Sequence, residues 1–391
     1  MIPLMRNAFL NEVETKKSLA EFIINTSKLS MDVKCLEFEK IFSQFQSRKE
    51  AILFNSGGSA NLAILQALKN LNRLQTNDKI GFSALTWSTN VMPILQLGFE
   101  ALAVDCSSVT LNSMLSDLKR IHEEHKLKAF FITNVLGFVG NINEIKNFCD
   151  ENNIILLEDN CESLGTETPH GKAGNFGLAS SFSFFVAHHM STIEGGMVCT
   201  DDEELAIMLR IVRANGWDRN LSSGQQLKLR KEHSVNSEFQ AKYTFYDLGY
   251  NLRPTEITGF LGIHQMNYLK ENIQTRERNY LHFEKIMKAN SDFVILDHSH
   301  ITLLSSFAIP VVCKTPELRQ KYLSQFSGGG VEIRPMIAGN IQLQPFYKKY
   351  IKTYNKLPGA DFLHYNGFYF GNYPELTEID IETISSCLGK Y

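Results

Sequence analysis

The chain has 391 residues, 43% hydrophobic and 21% charged, which suits a folded protein with one large unit and a smaller one. A formal charge of −3 without a basic stripe excludes a nucleic-acid partner from expectation. Met1-Ile-Pro-Leu-Met-Arg-Asn7 lacks the pattern of a secretory leader, and no stretch approaches ~18 uninterrupted apolar residues, so a cytoplasmic protein without a membrane span is expected.

From about residue 50 to 215, β-rich runs alternate with helical ones. Strands are predicted at 50–54, 79–82, 100–104, 129–133, 154–157, 181–184 and 196–199. Amphipathic helices are predicted at 60–71, 111–125 and 142–152. The alternation predicts an α/β fold with a mainly parallel, helix-covered sheet. Longer helices follow at 202–214 and 254–290, the second opening on Pro254. The polar stretch 218–243 reads as a surface loop, and β-rich runs resume near 307–312. The expected division is an N-terminal arm and large domain over 1–275 and a smaller α+β domain over 276–391.

Several segments carry polar groups suited to chemistry. Phe54-Asn-Ser-Gly57-Gly58-Ser59-Ala-Asn61 reads as a strand, a glycine turn and a helix start, whose N–H groups and dipole can seat an anion. Ile154-Ile-Leu-Leu-Glu158-Asp159-Asn-Cys-Glu162 is a buried strand ending in acids, which serve either a cofactor or a helix start. Trp87 follows a strand and suits either a core position or a stacking platform. Asn251 and Arg253 lie in Tyr250-Asn-Leu-Arg-Pro254, as turn residues or as ligands. Arg334 follows the run Gly328–Gly330, as a fork for an anion or a salt bridge.

The segment Ser181-Phe-Ser183-Phe-Phe-Val-Ala-His188-His189 resembles the cofactor-anchoring strand of the DegT/DnrJ/EryC1/StrS sugar aminotransferases, which have S-F-S-F-x-x-x-K. The resemblance extends to L-L-E-D-N-C-E-S at 156–163, E-G-G at 194–196, R-A-N-G-W-D-R-N-L at 213–221, G-Y-N-L-R-P at 249–254 and R-P-M-I-A-G-N at 334–340. It implies a fold type I pyridoxal phosphate (PLP) enzyme, similar to aspartate aminotransferase. In that family the lysine tethers PLP; His188 cannot, but an imidazole, whose ordinary pKa is near ~6.5, can move protons. The segments are most similar to the family's sugar 3-dehydratases, which carry histidine here.

The resemblance therefore implies C3 deoxygenation of a nucleotide-linked 4-keto-6-deoxyhexose, GDP-linked in preference, for deoxysugar and O-antigen synthesis. L-Glutamate would regenerate pyridoxamine phosphate (PMP), with His188 as acid and base. It implies that Gly57, Gly58 and Ser183 hold the phosphate, that Asp159 faces the pyridine nitrogen with Glu162 beside it, and that Trp87 stacks on the ring. Asn251 would reach the site of a neighbouring subunit, making a homodimer. Arg219, Arg253 and Arg334 would take up the sugar nucleotide or glutamate, and His189 would be structural. Cysteines 35, 106, 149, 161, 199, 313 and 387 are scattered, so no metal and no iron–sulfur cluster are expected. The alternatives are a 4-aminotransferase of the same family and a sugar-nucleotide-binding protein without turnover. Val186 and Ile193 depart from the family pattern, Val186 where proline or serine is common and Ile193 where methionine or glycine is.

Overall fold

The alternating β-rich runs form a seven-stranded sheet in a computed structural model that describes residues 1–352 and 354–389. Its strands, with a two-residue hairpin between them, are β1 (Glu50–Phe54), β2 (Lys79–Ser83), β3 (Glu100–Val104), β4 (Ala129–Thr133), β5 (Ile155–Asp159), β6 (Glu167–Thr168), β7 (Gly171–Lys172), β8 (Ala179–Ser183) and β9 (Gly196–Thr200). The order is β1-β9-β8-β5-β4-β2-β3, with β6 and β7 apart. Within the seven-stranded sheet the pairings are parallel except those of β9, which runs against both neighbours. Strands β4, β8 and β9 are buried along their whole length, as expected of a sheet covered on both faces.

On one face, helix Gly57–Asn70 packs on β8, β9 and helix Glu203–Arg213. On the other, helix Val33–Gln46 lies under the 33-residue helix Glu256–Lys288. That approach needs glycine: a Cβ on Gly259 would meet backbone at 2.4 Å, and one on Gly262 the Phe38 ring at 2.4 Å. The buried Glu256 carboxylate accepts N–H groups of Asp32 (2.6 Å), Lys34 (2.8 Å) and Cys35 (3.1 Å), satisfying a helix start that has no cap of its own.

A second, antiparallel sheet has β10 (Ala308–Val312), β11 (Ile333–Pro335) and β12 (Gly367–Gly371) in the order β10-β12-β11. Pro310 is tolerated because β10 is an edge strand. The long helix runs unbroken past residue 275 and ends against this sheet, with Phe283 edge-on to Phe370. The chain start joins the same region: Ile2 donates to Gly330 and accepts from Glu332.

The polar stretch expected to be a loop at 218–243 instead contains helices Ser223–Glu232 and Glu238–Ala241. The first buries no residue, so it lacks an apolar stripe. Its start is fixed by a capping box of Ser222 and Gln225. Among the described residues, no helix is long and apolar enough to cross a membrane.

Candidate active site

Parallel strands deliver their carboxyl ends to one edge of the sheet, where crevices form. At that edge the ends of β1, β2, β5 and β8 surround a cavity of about 450 Å3. Gly57 and Gly58 enter it from β1, Trp87 from beyond β2, Asp159 and Glu162 from β5, and Ser183 and His188 from β8. Ser56 caps the helix by accepting from Ser59 N (3.1 Å). The N–H groups of Gly57 and Gly58 have no intrahelical partner there. Gly57 is pressed so close to β8 that a Cβ would stand 2.7 Å from Ser183 Cβ.

Asp159 is buried and held by two donors, Asn61 Nδ2 and the Cys161 N–H, each at 2.9 Å. It belongs to no helix, which removes the helix-start alternative. Its neighbour Glu158 points the other way and accepts N–H groups of Gly174, Phe176 and Gly177, a purely structural anchor.

His188 is half-buried, with Nδ1 2.6 Å from the Cys161 carbonyl oxygen. A carbonyl only accepts, so Nδ1 carries the proton and Nε2 is the basic nitrogen. Burial depresses its pKa to about 4, against a smaller upward pull from that carbonyl and Asp159. The imidazole is therefore neutral at pH 7. Glu162 accepts from Leu136 N (2.9 Å), and burial pushes its carboxyl up to about 8 despite that bond.

Trp87 is 57% exposed, so it is no core residue. It forms a wall shared with an adjoining cavity of about 430 Å3 that holds Arg319, Arg334 and Tyr369. Arg334 also pairs with Glu332 at 2.5 Å. His189 is buried and bonded to the Ser305 carbonyl (3.0 Å), as expected of a structural residue.

Arg219 and Arg253, expected as ligands, line neither cavity, and Asn251, expected to serve a neighbouring subunit, lines neither as well. Arg219 lies 4.0 Å over the Trp217 ring. Arg253 Nε donates to Asn251 Oδ1 (3.1 Å), and both residues are exposed. Residues not foreseen from the sequence also line the first cavity: Thr133, Glu194, Phe307, Ile337 and Tyr369. Phe307 and Tyr369 come from the second sheet region, more than a hundred residues away and without a motif to announce them.

The residues present fit a flat aromatic phosphate: an anion seat with free N–H groups, an indole wall and a fixed carboxylate. The fold and cavity thus define a PLP-dependent enzyme of the aminotransferase fold. A profile described as the DegT/DnrJ/EryC1/StrS aminotransferase family matches residues 11–389. The chain is 34% identical over 360 residues to GDP-4-keto-6-deoxy-D-mannose 3-dehydratase of Escherichia coli O55:H7 (strain CB9615 / EPEC), covering 90% of each. Its structure matches that of a GDP-4-keto-6-deoxymannose-3-dehydratase with a trapped PLP-glutamate geminal diamine at TM-score 0.91 and 30% identity, covering 99% of this chain and 100% of that one. An H188N mutant of such an enzyme with bound GDP-perosamine matches at TM-score 0.90, 30% identity and the same coverage. The chain belongs to the DegT/DnrJ/EryC1/StrS aminotransferase family, and its cofactor is PLP, with PMP as the amine form.

Proposed function

We propose that this chain removes the C3 hydroxyl of a nucleotide-linked 4-keto-6-deoxyhexose, GDP-linked in preference, within cytoplasmic deoxysugar synthesis for surface polysaccharide. The observation that carries the proposal is His188, a neutral imidazole with a free Nε2 where the family's aminotransferases have lysine. The similarity to two GDP-sugar 3-dehydratase structures supports the sugar nucleotide.

When bound, the cofactor supplies an electron sink and carries an amino group from L-glutamate to the sugar. Asp159 would hold the pyridine nitrogen protonated, being fixed by Asn61 and Cys161 in the charged form. Gly57, Gly58 and Ser183 would take the phosphate, and Trp87 would cover one face of the ring. His188 Nε2 would withdraw and return the protons of both half-reactions, first with glutamate and then with the sugar. Without a lysine amine nothing recaptures the cofactor from the sugar, so elimination proceeds and the nitrogen leaves as ammonia.

Among the described residues that line the cavity there is no lysine or arginine, so a bound phosphate would be held by N–H and O–H donors, to which an amide from a second chain can add. That favours a homodimer in which Asn251 of each chain, exposed here, completes the site of the other. Purified protein given PLP, L-glutamate and a GDP-4-keto-6-deoxyhexose should yield a sugar lighter by one oxygen. An amino sugar by mass spectrometry would replace this assignment with 4-amination.

A further inference from the structure

Three carboxyls line the cavity, Asp159, Glu162 and Glu194. Asp159 is committed to two N–H donors, and Glu194 is exposed at the mouth. Glu162 differs from both. Its Oε2 takes the Leu136 N–H, while Oε1 accepts no hydrogen bond among the described residues. The titratable groups that share its cavity are Asp159 at the end of β5, Cys161 just beyond it, His188 beyond β8, Glu194 before β9, and Tyr369 of β12. None is a cation at neutral pH.

The same contact fixes Glu162 relative to His188. Leu136 is buried in a left-handed conformation (φ 56°, ψ 21°), unfavourable for a branched side chain, with its N–H held on Glu162. Its carbonyl accepts from Phe307 N (3.2 Å), and the Phe307 ring lies 5.0 Å from the His188 ring. Glu162 and His188 are thus set in one wall of one cavity. Tyr369 continues that wall into the adjoining cavity of Arg319 and Arg334, the side open to a charged substrate. Burial, with a smaller push from Asp159, raises the Glu162 carboxyl toward its protonated form, while burial keeps the His188 imidazole neutral. Two groups pushed apart in this sense form an acid and a base ready at the same pH.

Resting on the dehydratase assignment above, we propose that Glu162 is a second catalytic residue, the acid that protonates the departing sugar hydroxyl. His188 Nε2 takes a proton from carbon, and the electron pair left behind becomes a new π bond. The C3–O bond breaks with its pair going to oxygen, which takes the Glu162 proton and leaves as water. The site ends as imidazolium and carboxylate. Proton return, through the water just released, resets both groups.

The test uses the holoenzyme and Glu162→Gln, which keeps an acceptor for Leu136. Because Glu162 also stands beside the cofactor site, formation of 2-oxoglutarate can slow as well, but by at least about ten-fold less than elimination does. Elimination from the keto sugar should fall by about 100-fold or more. Its decline with rising pH near 8 should vanish in the variant. An analogue with fluorine at C3, whose leaving group needs no proton, should release fluoride at similar rates from both proteins. Equal loss of both half-reactions would make Glu162 a cofactor-holding residue and overturn the proposal, as would unchanged elimination. A wild-type enzyme that releases no ammonia would instead sink the dehydratase assignment itself.

Discussion

His188 Nδ1 is bonded to the carbonyl oxygen of Cys161, two residues beyond Asp159, so the strand end that supplies the carboxylate also sets the tautomer of the imidazole. The base and the carboxylate are thereby fixed by one backbone segment. Catalysis by a histidine needs such a lock, because an imidazole free to turn would present its protonated nitrogen as often as its basic one.

Replacing His188 by asparagine keeps a hydrogen-bond donor near Cys161 but removes the base. Formation of 2-oxoglutarate from L-glutamate should drop by about 100- to 10,000-fold, with PLP still bound. The His188→Lys variant should become covalently fixed to PLP on borohydride reduction, seen as an added mass, while the native chain should not. Reduction that fixes PLP to the native chain would show a lysine elsewhere serving as the tether.

The acid limb follows from the His188 shift. Its pKa of about 4 in the folded protein lies below 6.5, so the base form persists at pH values where free histidine is mostly protonated. The glutamate half-reaction should decline on the acid side well below pH 6.5. Linkage has the same sign: between pH 6.5 and 4 the unfolded chain binds a proton that the folded one refuses, so stability falls as pH drops through that window. His188→Asn should therefore lose less thermal stability on acidification than the native protein. Identical acid sensitivity of the two melting curves would contradict the shift.

Asn251 and His188 are expected to serve one site from two chains. Asn251→Ala and His188→Ala proteins should each be weakly active. Unfolded together and refolded as a mixture, they should regain activity, because some dimers then hold one site with both residues intact. Failure to recover, with mixed dimers verified by mass, would place Asn251 outside the site.

Arg213 makes a stability prediction independent of chemistry. It is fully buried, with Nη1 at 2.5 Å from Glu39 Oε1 and 2.7 Å from the Leu53 carbonyl. Arg213→Met strands the buried Glu39 charge and should cost about 3–5 kcal/mol in denaturant unfolding. Adding Glu39→Leu should recover part of that loss, though not all, because Glu39 also accepts the Leu53 N–H (2.8 Å).

The sheet was legible because its strands are short β-rich runs bounded by glycine and polar turns; β1, β3 and β4 begin and end where the pattern does. Asp159 and His188 were legible through their neighbours in sequence. Ile193 was legible only as a departure from the resembling pattern; in the structure it has φ 71°, where a β-branched residue is strained. What stayed hidden was non-local. Phe307 and Tyr369 reach the cavity only because the second sheet folds over it, and Arg319 stands beside Arg334 without any spacing to suggest it.

The most direct measurement follows the nitrogen. With L-glutamate labelled in its amino group, PLP and a GDP-4-keto-6-deoxyhexose, the label should appear in free ammonium and be absent from a sugar that has lost its C3 oxygen. Label retained in the sugar would show amino transfer and contradict the account.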